Sequence, residues 1–196
     1  ESGEIHLFDD KISDQDNYLK PRDLKEKGLA HIPEDRQRMG LVTEFKAHEN
    51  LIFGYHHQEP YSKSSILQEK EIMSFSKKVM EEYDVRPTSP NLITSNFSGG
   101  NQQKIILSRE LNENPKVLLI GQPTRGVDIG AIEFIHQRLI DMRDKGAAIL
   151  LVSVELEEVL SLSDRIVVMF DGNIVGEKIN KDVTDRDLGL LMAGVA

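Results

Sequence analysis

The sequence predicts an α/β fold with a mostly parallel core sheet and antiparallel additions. Short apolar runs typical of buried parallel strands, Val117 to Ile120 and Ala147 to Val152, alternate with longer segments that carry apolar residues at helical spacing. Towards the C-terminus, Arg165 to Phe170 and Asn173 to Glu177 flank Asp171-Gly172, a turn signal for an antiparallel hairpin. Strands that alternate with helices indicate a layered α/β domain.

The elements of the first half follow from local signals. The chain starts with a turn into a strand, and a polar loop then continues to about Tyr18. Pro21 to Gly28 predicts a short helix because proline opens it and glycine ends it, and Leu29 to Ile32 predicts the next strand. From Ile66 to Tyr83, apolar residues recur among Lys and Glu at roughly helical spacing, which predicts an amphipathic helix.

The second half holds four more predicted helices. Lys104 to Leu111 is helical in pattern and is stopped by Asn112 to Pro115. Three further helices are expected from Gly130 to about Lys145, from Val154 to Leu160 and from about Thr184 to Met192.

Composition limits the class of protein. The 196 residues fit one domain, and 39% hydrophobic residues are enough to build a core. The chain has no cysteine, which excludes disulfides and thiolate metal sites, and we expect no metal site in this domain. The formal net charge of −9 argues against nucleic acid as a partner.

The stretch Phe97-Ser98-Gly99-Gly100-Asn101 stands directly before a predicted helix. The N-terminus of a helix points free N–H groups and its positive dipole end outward, a favourable place for an anion. Ser98 adds a hydroxyl, and Gly99 and Gly100 leave the backbone open to a phosphate. The alternative is an ordinary helix cap, because serine is a good N-cap residue and glycines are common in turns.

The order of motifs around this stretch resembles the ATP-binding subunits of ABC transporters. After the helix and its break, the strand Val117 to Ile120 leads into Pro123-Thr124-Arg125-Gly126-Val127-Asp128. The chain is similar to the second nucleotide-binding domain of fused two-domain ATPases that serve bacterial uptake of sugars and nucleosides. The resemblance implies a P-loop-NTPase-like fold with a helical subdomain at about residues 60–112 and an α/β core elsewhere. No Gly-x-x-x-x-Gly-Lys-[Ser/Thr] pattern occurs, so we expect residues 1–196 to be a partial nucleotide-binding domain that lacks the Walker A segment.

The resemblance also implies roles for particular residues. Ser98, Gly99, Gly100 and Asn101 occupy the signature loop and Asp128 the D-loop, which together would bind ATP in a partner domain's site. Where the family has a Walker B Asp-Glu pair and a switch histidine, this chain has Gly121, Gln122 and Val154. These residues neither hold Mg²⁺ nor accept a proton, so we expect no catalytic residue and no metal in the domain's own site, although the full-length subunit would use ATP and Mg²⁺. Glu34 occupies the Q-loop position, where the alternative is a salt-bridged turn of Glu34, Asp35 and Arg36.

The same resemblance implies the partners. They are the N-terminal nucleotide-binding domain of the same subunit, transmembrane permease subunits that face Met39 to Leu51 and, indirectly, an extracellular substrate-binding protein. The subunit would lie at the cytoplasmic face of the cell membrane. Gln122 and the stretch Gly130 to His136 favour nucleosides over sugars as cargo. We also expect an exposed sheet edge beside Val117 to Ile120, where copies of the chain can self-associate.

Two other functions remain open from the sequence. One is a soluble ABC-type ATPase of translation or DNA maintenance, which uses the same signature without a membrane partner. The other is an interaction module that has lost nucleotide binding.

Overall fold

The structure is a computed structural model that describes residues 3–12 and 19–195. Its strands are β1 (His6–Leu7), β2 (Asp10–Lys11), β3 (Leu29–Ile32), β4 (Ser62–Lys63), β5 (Ile66–Leu67), β6 (Val117–Gly121), β7 (Ala148–Val152), β8 (Arg165–Phe170) and β9 (Asn173–Ile179). Its α-helices are α1 (Pro21–Glu26), α2 (Ala47–Leu51), α3 (Glu69–Glu82), α4 (Gly99–Asn112), α5 (Ile129–Asp144), α6 (Leu156–Leu162) and α7 (Asp185–Met192). A π-helical turn spans Arg36–Gly40, and short 3₁₀ turns span Thr94–Asn96 and Asn180–Asp182.

The core is a three-stranded parallel sheet in the order β3–β6–β7. Leu118 lies opposite Ala30 on one side and Ile149 on the other, and the pairing continues in register along all three strands. Ala30, Ile32 and Leu118 are buried in the main hydrophobic core. The hairpins β1–β2, β4–β5 and β8–β9 are antiparallel. The predicted α/β fold with a parallel core and antiparallel additions is therefore confirmed.

The sheet edge predicted beside Val117 to Ile120 is wrong, because β6 is the central strand. Within residues 3–12 and 19–195, β3 and β7 are the two edge strands of this sheet, because each pairs with β6 alone. A cleft of about 790 Å³ separates β7 from β8, and Leu150 and Val152 are 60% and 61% exposed. Parallel sheets normally have both faces covered, and an unpaired strand edge is a template for pairing with another chain. Because β7 exposes apolar side chains whereas Ala30 and Ile32 of β3 are buried, pairing with another chain is expected at β7, and self-association stays a prediction.

Helix α4 is the most buried helix of the fold. Ile105, Ile106 and Leu107 are fully buried, and so is Ser108, whose hydroxyl donates to the Ile105 carbonyl. The helix contacts β3, α2, α3, α5 and the π-helical turn. A helix that is buried on nearly all sides is held by its packing. The position of its N-terminus is therefore determined by the whole core.

The predicted helices are present in the structure, and two of them begin later in the chain than predicted. The predicted amphipathic helix begins at Glu69 because Ile66 and Leu67 form the second strand of the β4–β5 hairpin. The helix predicted from Val154 begins at Leu156 because the Ser153 hydroxyl accepts a hydrogen bond from the Glu155 N–H, which closes a turn first. The predicted loop to about Tyr18 lies mostly outside the described residues. No helix within residues 3–12 and 19–195 is long and apolar enough to cross a membrane.

Candidate functional site

Ser98 caps α4 and lies at the surface. Its hydroxyl accepts hydrogen bonds from the Asn101 N–H (3.4 Å) and from the Asn101 side-chain Nδ2 (2.9 Å). The residue is exposed, although Phe97 before it and Gly100 after it are buried. The first turn of the helix leaves its N–H groups without partners inside the helix. The structure therefore places a hydroxyl and the positive end of a fourteen-residue helix together at an open surface.

The two glycines of this stretch make room for neighbouring segments. A Cβ on Gly99 would lie 2.6 Å from Arg36 Nη2 and 3.0 Å from the Gly126 carbonyl oxygen. A Cβ on Gly100 would lie 3.0 Å from Asp128 Oδ2. From the sequence we expected these glycines to admit a phosphate. The structure adds a second reason for them, because side chains here would push away the π-helical turn and the start of α5.

The Asn101 side chain is held by bonds within the domain. Its Oδ1 accepts a hydrogen bond from the Arg86 N–H (2.7 Å), while its Nδ2 donates to Ser98. Beside it, Asp84 accepts a hydrogen bond from the Arg86 side chain and another from Lys104, and these bonds lower the pKa of Asp84. Asn101 thus fixes the orientation of the Ser98 hydroxyl relative to the link between α3 and α4.

Asp128 has a structural role that its D-loop position did not indicate. Its Oδ1 accepts a hydrogen bond from the Ala131 N–H (2.9 Å), so Asp128 is the N-cap of α5. Aspartate is among the best N-cap residues. Because its other carboxylate oxygen faces Gly100, Asp128 also brings the N-termini of α4 and α5 together.

The predicted Walker B, switch and Q-loop positions meet at the carboxyl end of the sheet. Gly121 pairs with Val152 at the end of β6, and the Gln122 N–H donates to the Val152 carbonyl (2.8 Å). Val154 follows two residues later and is 62% exposed. A Cβ on Gly121 would lie 3.3 Å from the Glu34 backbone nitrogen. Parallel strands bring their carboxyl ends to one edge, where α/β folds bind ligands, and the sequence-predicted residues are brought together there.

The donor set at this edge does not suit Mg²⁺. Gly121 has no side chain, Gln122 offers only a neutral amide, and Val154 is apolar. The Glu34 carboxylate is already paired with Arg125 Nη1. Within residues 3–12 and 19–195, no group of three His, Cys, Asp or Glu side chains is arranged to hold a metal ion. Hard divalent cations need several oxygen ligands, carboxylates above all, and among the predicted Walker B, switch and Q-loop positions only Glu34 has a carboxylate, which is already paired.

Glu34, Asp35 and Arg36 do not form the salt-bridged turn that the sequence offered as the alternative, because each contacts residues outside this trio. Asp35 caps the π-helical turn, because its Oδ1 accepts hydrogen bonds from the N–H groups of Gln37 (3.1 Å) and Arg38 (3.0 Å). Glu34 pairs with Arg125, 91 residues away, and Arg36 donates to backbone carbonyls. Glu34 and Arg36 thus both contact the loop at Arg125, whereas Asp35 caps the π-helical turn.

Sequence reasoning missed Arg36 as part of the site. Its Nη1 donates to the Arg125 carbonyl oxygen (2.6 Å) and its Nη2 to the Gly126 carbonyl oxygen (3.2 Å). Gly126 has a φ of +65°, a backbone conformation that favours glycine. No local sequence pattern indicates a contact between residues some 90 positions apart, although the glycine directly after Pro-Thr-Arg does indicate a turn.

A buried cluster anchors the other end of the same loop. The Thr124 hydroxyl donates to Glu158 Oε1 (2.8 Å), and His136 Nε2 lies 3.1 Å from the same oxygen. Glu158 is 3% exposed. The loop after β6 is thus tied to α5 and α6 at Thr124 and to the π-helical turn at Arg125 and Gly126.

Comparison with known proteins places the chain among ABC transporter proteins. Residues 1–125 match the family model described as ABC transporter. Over 99% of its length, the chain is 44% identical to the guanosine import ATP-binding protein NupO of Bacillus subtilis, and over 96% it is 34% identical to the ribose import ATP-binding protein RbsA of Oceanobacillus iheyensis. The chain spans 37% of the length of each of these relatives. A nucleotide-free ATP-binding cassette from an ABC transporter has the same fold, with a TM-score of 0.71 at 22% identity over 98% of this chain and 74% of that one.

Proposed function

The chain belongs to the ABC transporter family, and on that premise we propose that it forms part of the ATP-binding subunit of an importer for nucleosides, with sugars as the second candidate cargo. The observation that carries the ATP-binding role is the exposed Ser98 hydroxyl at the N-terminus of α4. Identity of 44% to a guanosine import protein, against 34% to a ribose import protein, supports nucleosides. Gln122 and the segment 130–136 favour the same cargo.

The proposed role of this domain in hydrolysis is to complete a site on another domain. Ser98, Gly99, Gly100 and Asn101 would face the ATP bound by the N-terminal nucleotide-binding domain of the same subunit, and Asp128 would hold the neighbouring helix in place. The Ser98 hydroxyl and the N-terminus of α4 can bind the terminal phosphate oxygens through hydrogen bonds and the helix dipole. ATP supplies the phosphoryl group and free energy, and Mg²⁺ would be held by the partner domain's own residues.

The domain's own site is proposed to be inactive. Phosphoryl transfer needs a carboxylate that holds the metal and a group that orients the attacking water. Gly121, Gln122 and Val154 supply neither a metal ligand nor a proton acceptor, and Glu34 is paired with Arg125. The proposed subunit therefore has one competent site and one degenerate site.

Exposed apolar side chains on both sides of α2 in the sequence fit the proposed permease contact. Met39 is 69% exposed, and Phe45 and Phe53 are 39% and 46% exposed with their rings 6.4 Å apart, edge to face. Exposed apolar side chains that cluster on one surface are typical of protein contact sites. This supports the proposed position of the subunit at the cytoplasmic face of the membrane, bound to permease subunits.

Transport by the complete system tests the proposed function. The full-length subunit and its permease would be placed in lipid vesicles, with ATP hydrolysis and uptake measured for guanosine and for ribose. We expect guanosine to be taken up in an ATP-dependent way and ribose to give the background rate. Uptake of ribose alone would make the system a sugar importer. A subunit that hydrolyses ATP at full rate without any membrane partner would contradict an import role.

Restoring one carboxylate to the degenerate site is expected to change little. We predict that Gln122→Glu in the full-length subunit alters the rate of ATP hydrolysis by less than about twofold, because the neighbouring positions still lack their functional groups. A general base contributes about 10²–10⁴ in rate only where the rest of the site is in place. Steady-state hydrolysis by the purified subunit with its permease measures this. A tenfold gain or loss would show that this site takes part in turnover.

A further inference from the structure

The contact between Arg36 and Gly99 joins two parts of the chain that are 63 positions apart in sequence. Arg36 donates to the carbonyls of Arg125 and Gly126, and its Nη2 lies against the Cα of Gly99 so closely that a Cβ there would be 2.6 Å away. One guanidinium group thus contacts the loop before α5 and the first residue of α4. Arginine suits this role because its planar fork can bind two acceptors at once in fixed directions.

The segment that carries Arg36 is itself fixed. Asp35 caps the π-helical turn through two backbone N–H groups, and the Gln37 side chain donates to Gln102 Oε1 on α4 (3.2 Å). On the other side of Arg36, Glu34 pairs with the Arg125 side chain. The contacts of Glu34, Asp35 and Gln37 therefore fix the chain on both sides of Arg36. The two carbonyl partners of Arg36 lie on the loop after β6, and Glu34 contacts the same loop through the Arg125 side chain.

The charge of Arg36 has no carboxylate partner among the residues that the structure describes. In the described part of the chain, no Asp or Glu oxygen lies within 4 Å of its guanidinium, and its buried Nε has no hydrogen-bond partner. An ordinary surface arginine would be solvated or paired with an acid. Here the guanidinium group donates to the Arg125 and Gly126 carbonyls and lies beside Gly99, so its role is to hold these segments in position.

We propose that Arg36 is a positioning residue that sets Gly99, and with it the Ser98 hydroxyl and the first turn of α4, against the loop 124–128. This rests on the proposed function of the Ser98 site and deepens it. Hydrolysis depends steeply on where phosphate-binding groups lie, since a misplacement of about 1 Å can cost about 10² in rate. Loss of Arg36 lets the loop and α4 separate, which lowers turnover while the partner domain still binds ATP.

The test compares variants of the full-length subunit with its permease, using ATP as the probe. Arg36→Ala is expected to lower kcat for ATP hydrolysis about tenfold or more and to change KM by less than about threefold. Arg36→Lys, which can reach one carbonyl, should fall between Arg36→Ala and the parent protein. Arg22→Ala removes an exposed arginine of α1 that pairs with Glu26 on the same helix, and should leave kcat unchanged.

A double-mutant cycle separates positioning from general stability. Gly99→Ala should also lower kcat because its methyl group displaces the guanidinium. In the combined Arg36→Ala and Gly99→Ala variant the displaced group is absent, so the combined loss should be smaller than the product of the two single losses. Losses that multiply would overturn the proposal, and so would an Arg36→Ala enzyme within twofold of the parent kcat. If Arg36→Ala does not fold, the same cycle with Arg36→Lys decides between these outcomes.

Comparing Ser98→Phe with Arg36→Ala distinguishes a failure of the proposed function from a failure of the positioning role. If Ser98→Phe keeps the full rate of hydrolysis, the proposed function of the site is wrong. If Ser98→Phe abolishes hydrolysis and Arg36→Ala does not reduce it, only the positioning role is wrong. A kcat per folded subunit that stays constant while the unfolding temperature falls would also overturn the positioning role, because it would show that Arg36 acts on stability alone.

Discussion

Replacing Ser98 by phenylalanine is expected to lower ATP hydrolysis by the full-length subunit about 100-fold or more and to abolish uptake. The substitution removes the hydroxyl at the N-terminus of α4 and puts a large ring at an exposed position where a second ATPase domain is proposed to dock. Removing a single preorganised donor from a site of developing negative charge costs about 10²–10³ in rate. The ring adds steric exclusion to that loss. Steady-state hydrolysis and vesicle uptake measure the two effects.

Two control variants make this result specific. Ser98→Ala removes the hydroxyl without blocking the surface, so it should lose less than Ser98→Phe and retain measurable turnover. Ser95→Phe places the same ring at an exposed position three residues earlier, in the short turn before α4, and should keep hydrolysis near the parent rate. A Ser98→Phe subunit that hydrolyses ATP as fast as Ser95→Phe would contradict the role assigned to the start of α4.

The sequence was enough to predict the features that depend on local chemistry. Ser98 before two glycines predicted the start of a helix, with a helix cap as the alternative to an anion site, and the structure has Ser98 as the N-cap of α4. Asp171-Gly172 predicted a tight hairpin, and both residues have the positive φ angles, 46° and 75°, that such a turn requires. The runs at Leu29 to Ile32 and Val117 to Ile120 predicted buried strands, because apolar stretches of that length suit a sheet covered by helices.

The order of the strands was beyond the sequence. Val117 to Ile120 was assigned to an open edge, yet it lies between β3 and β7. Strand order depends on which distant segments pair, and the apolar pattern of a strand is the same whether it has one neighbour or two. The exposed Leu150 and Val152 on β7 are apolar in sequence like any buried strand residue, so their pattern does not reveal that β7 is an edge strand.

The candidate site likewise contains residues that the sequence could indicate and contacts that it could not. Ser98, Gly121, Gln122 and Val154 could be found because each stands at a fixed place in a motif order. The capping role of Asp128 was also open to sequence reasoning, since an aspartate before a helical pattern is a standard N-cap signal. The pairings of Glu34 with Arg125 and of Arg36 with Gly126 join residues about 90 positions apart, and no spacing rule connects them.

Disrupting the buried ionic cluster around Glu110 of α4 is expected to have the largest effect on stability. Glu110 is 2% exposed, and its Oε2 lies 2.6 Å from Lys25 Nζ while its Oε1 accepts a hydrogen bond from Arg109 Nε (2.8 Å). The Tyr55 hydroxyl accepts from Lys25 and donates to Glu110. Burial raises the pKa of Tyr55, and the Glu110 charge raises it further, so the hydroxyl keeps its proton. One carboxylate of α4 therefore neutralises two cations, Lys25 on α1 and Arg109 on α4, and its pair with Lys25 joins the two helices.

Replacing Glu110 by alanine is expected to lower the free energy of unfolding by about 3–5 kcal/mol. Removing one partner of a buried ion pair leaves an uncompensated charge in a place with little water, which costs more than the pair itself contributes. Arg109 is 6% exposed and has no second carboxylate among its hydrogen-bond partners in the described residues, so it cannot recover the loss by moving to the surface. Calorimetric unfolding of the full-length subunit measures the effect in the transition of this domain.

The matched variants show whether charge is the cause. Glu113→Ala removes an exposed acid three residues further along the chain and should change the free energy of unfolding by less than about 0.5 kcal/mol. The combined Lys25→Met and Glu110→Leu variant removes both members of the closest pair and fills the space with apolar atoms, which is often neutral or stabilising for a buried pair. Because Arg109 alone then lacks a partner, the double variant should be more stable than Glu110→Ala. If it is less stable, the cluster contributes through its hydrogen-bond network as a whole, and the unpaired charges are not the main cost.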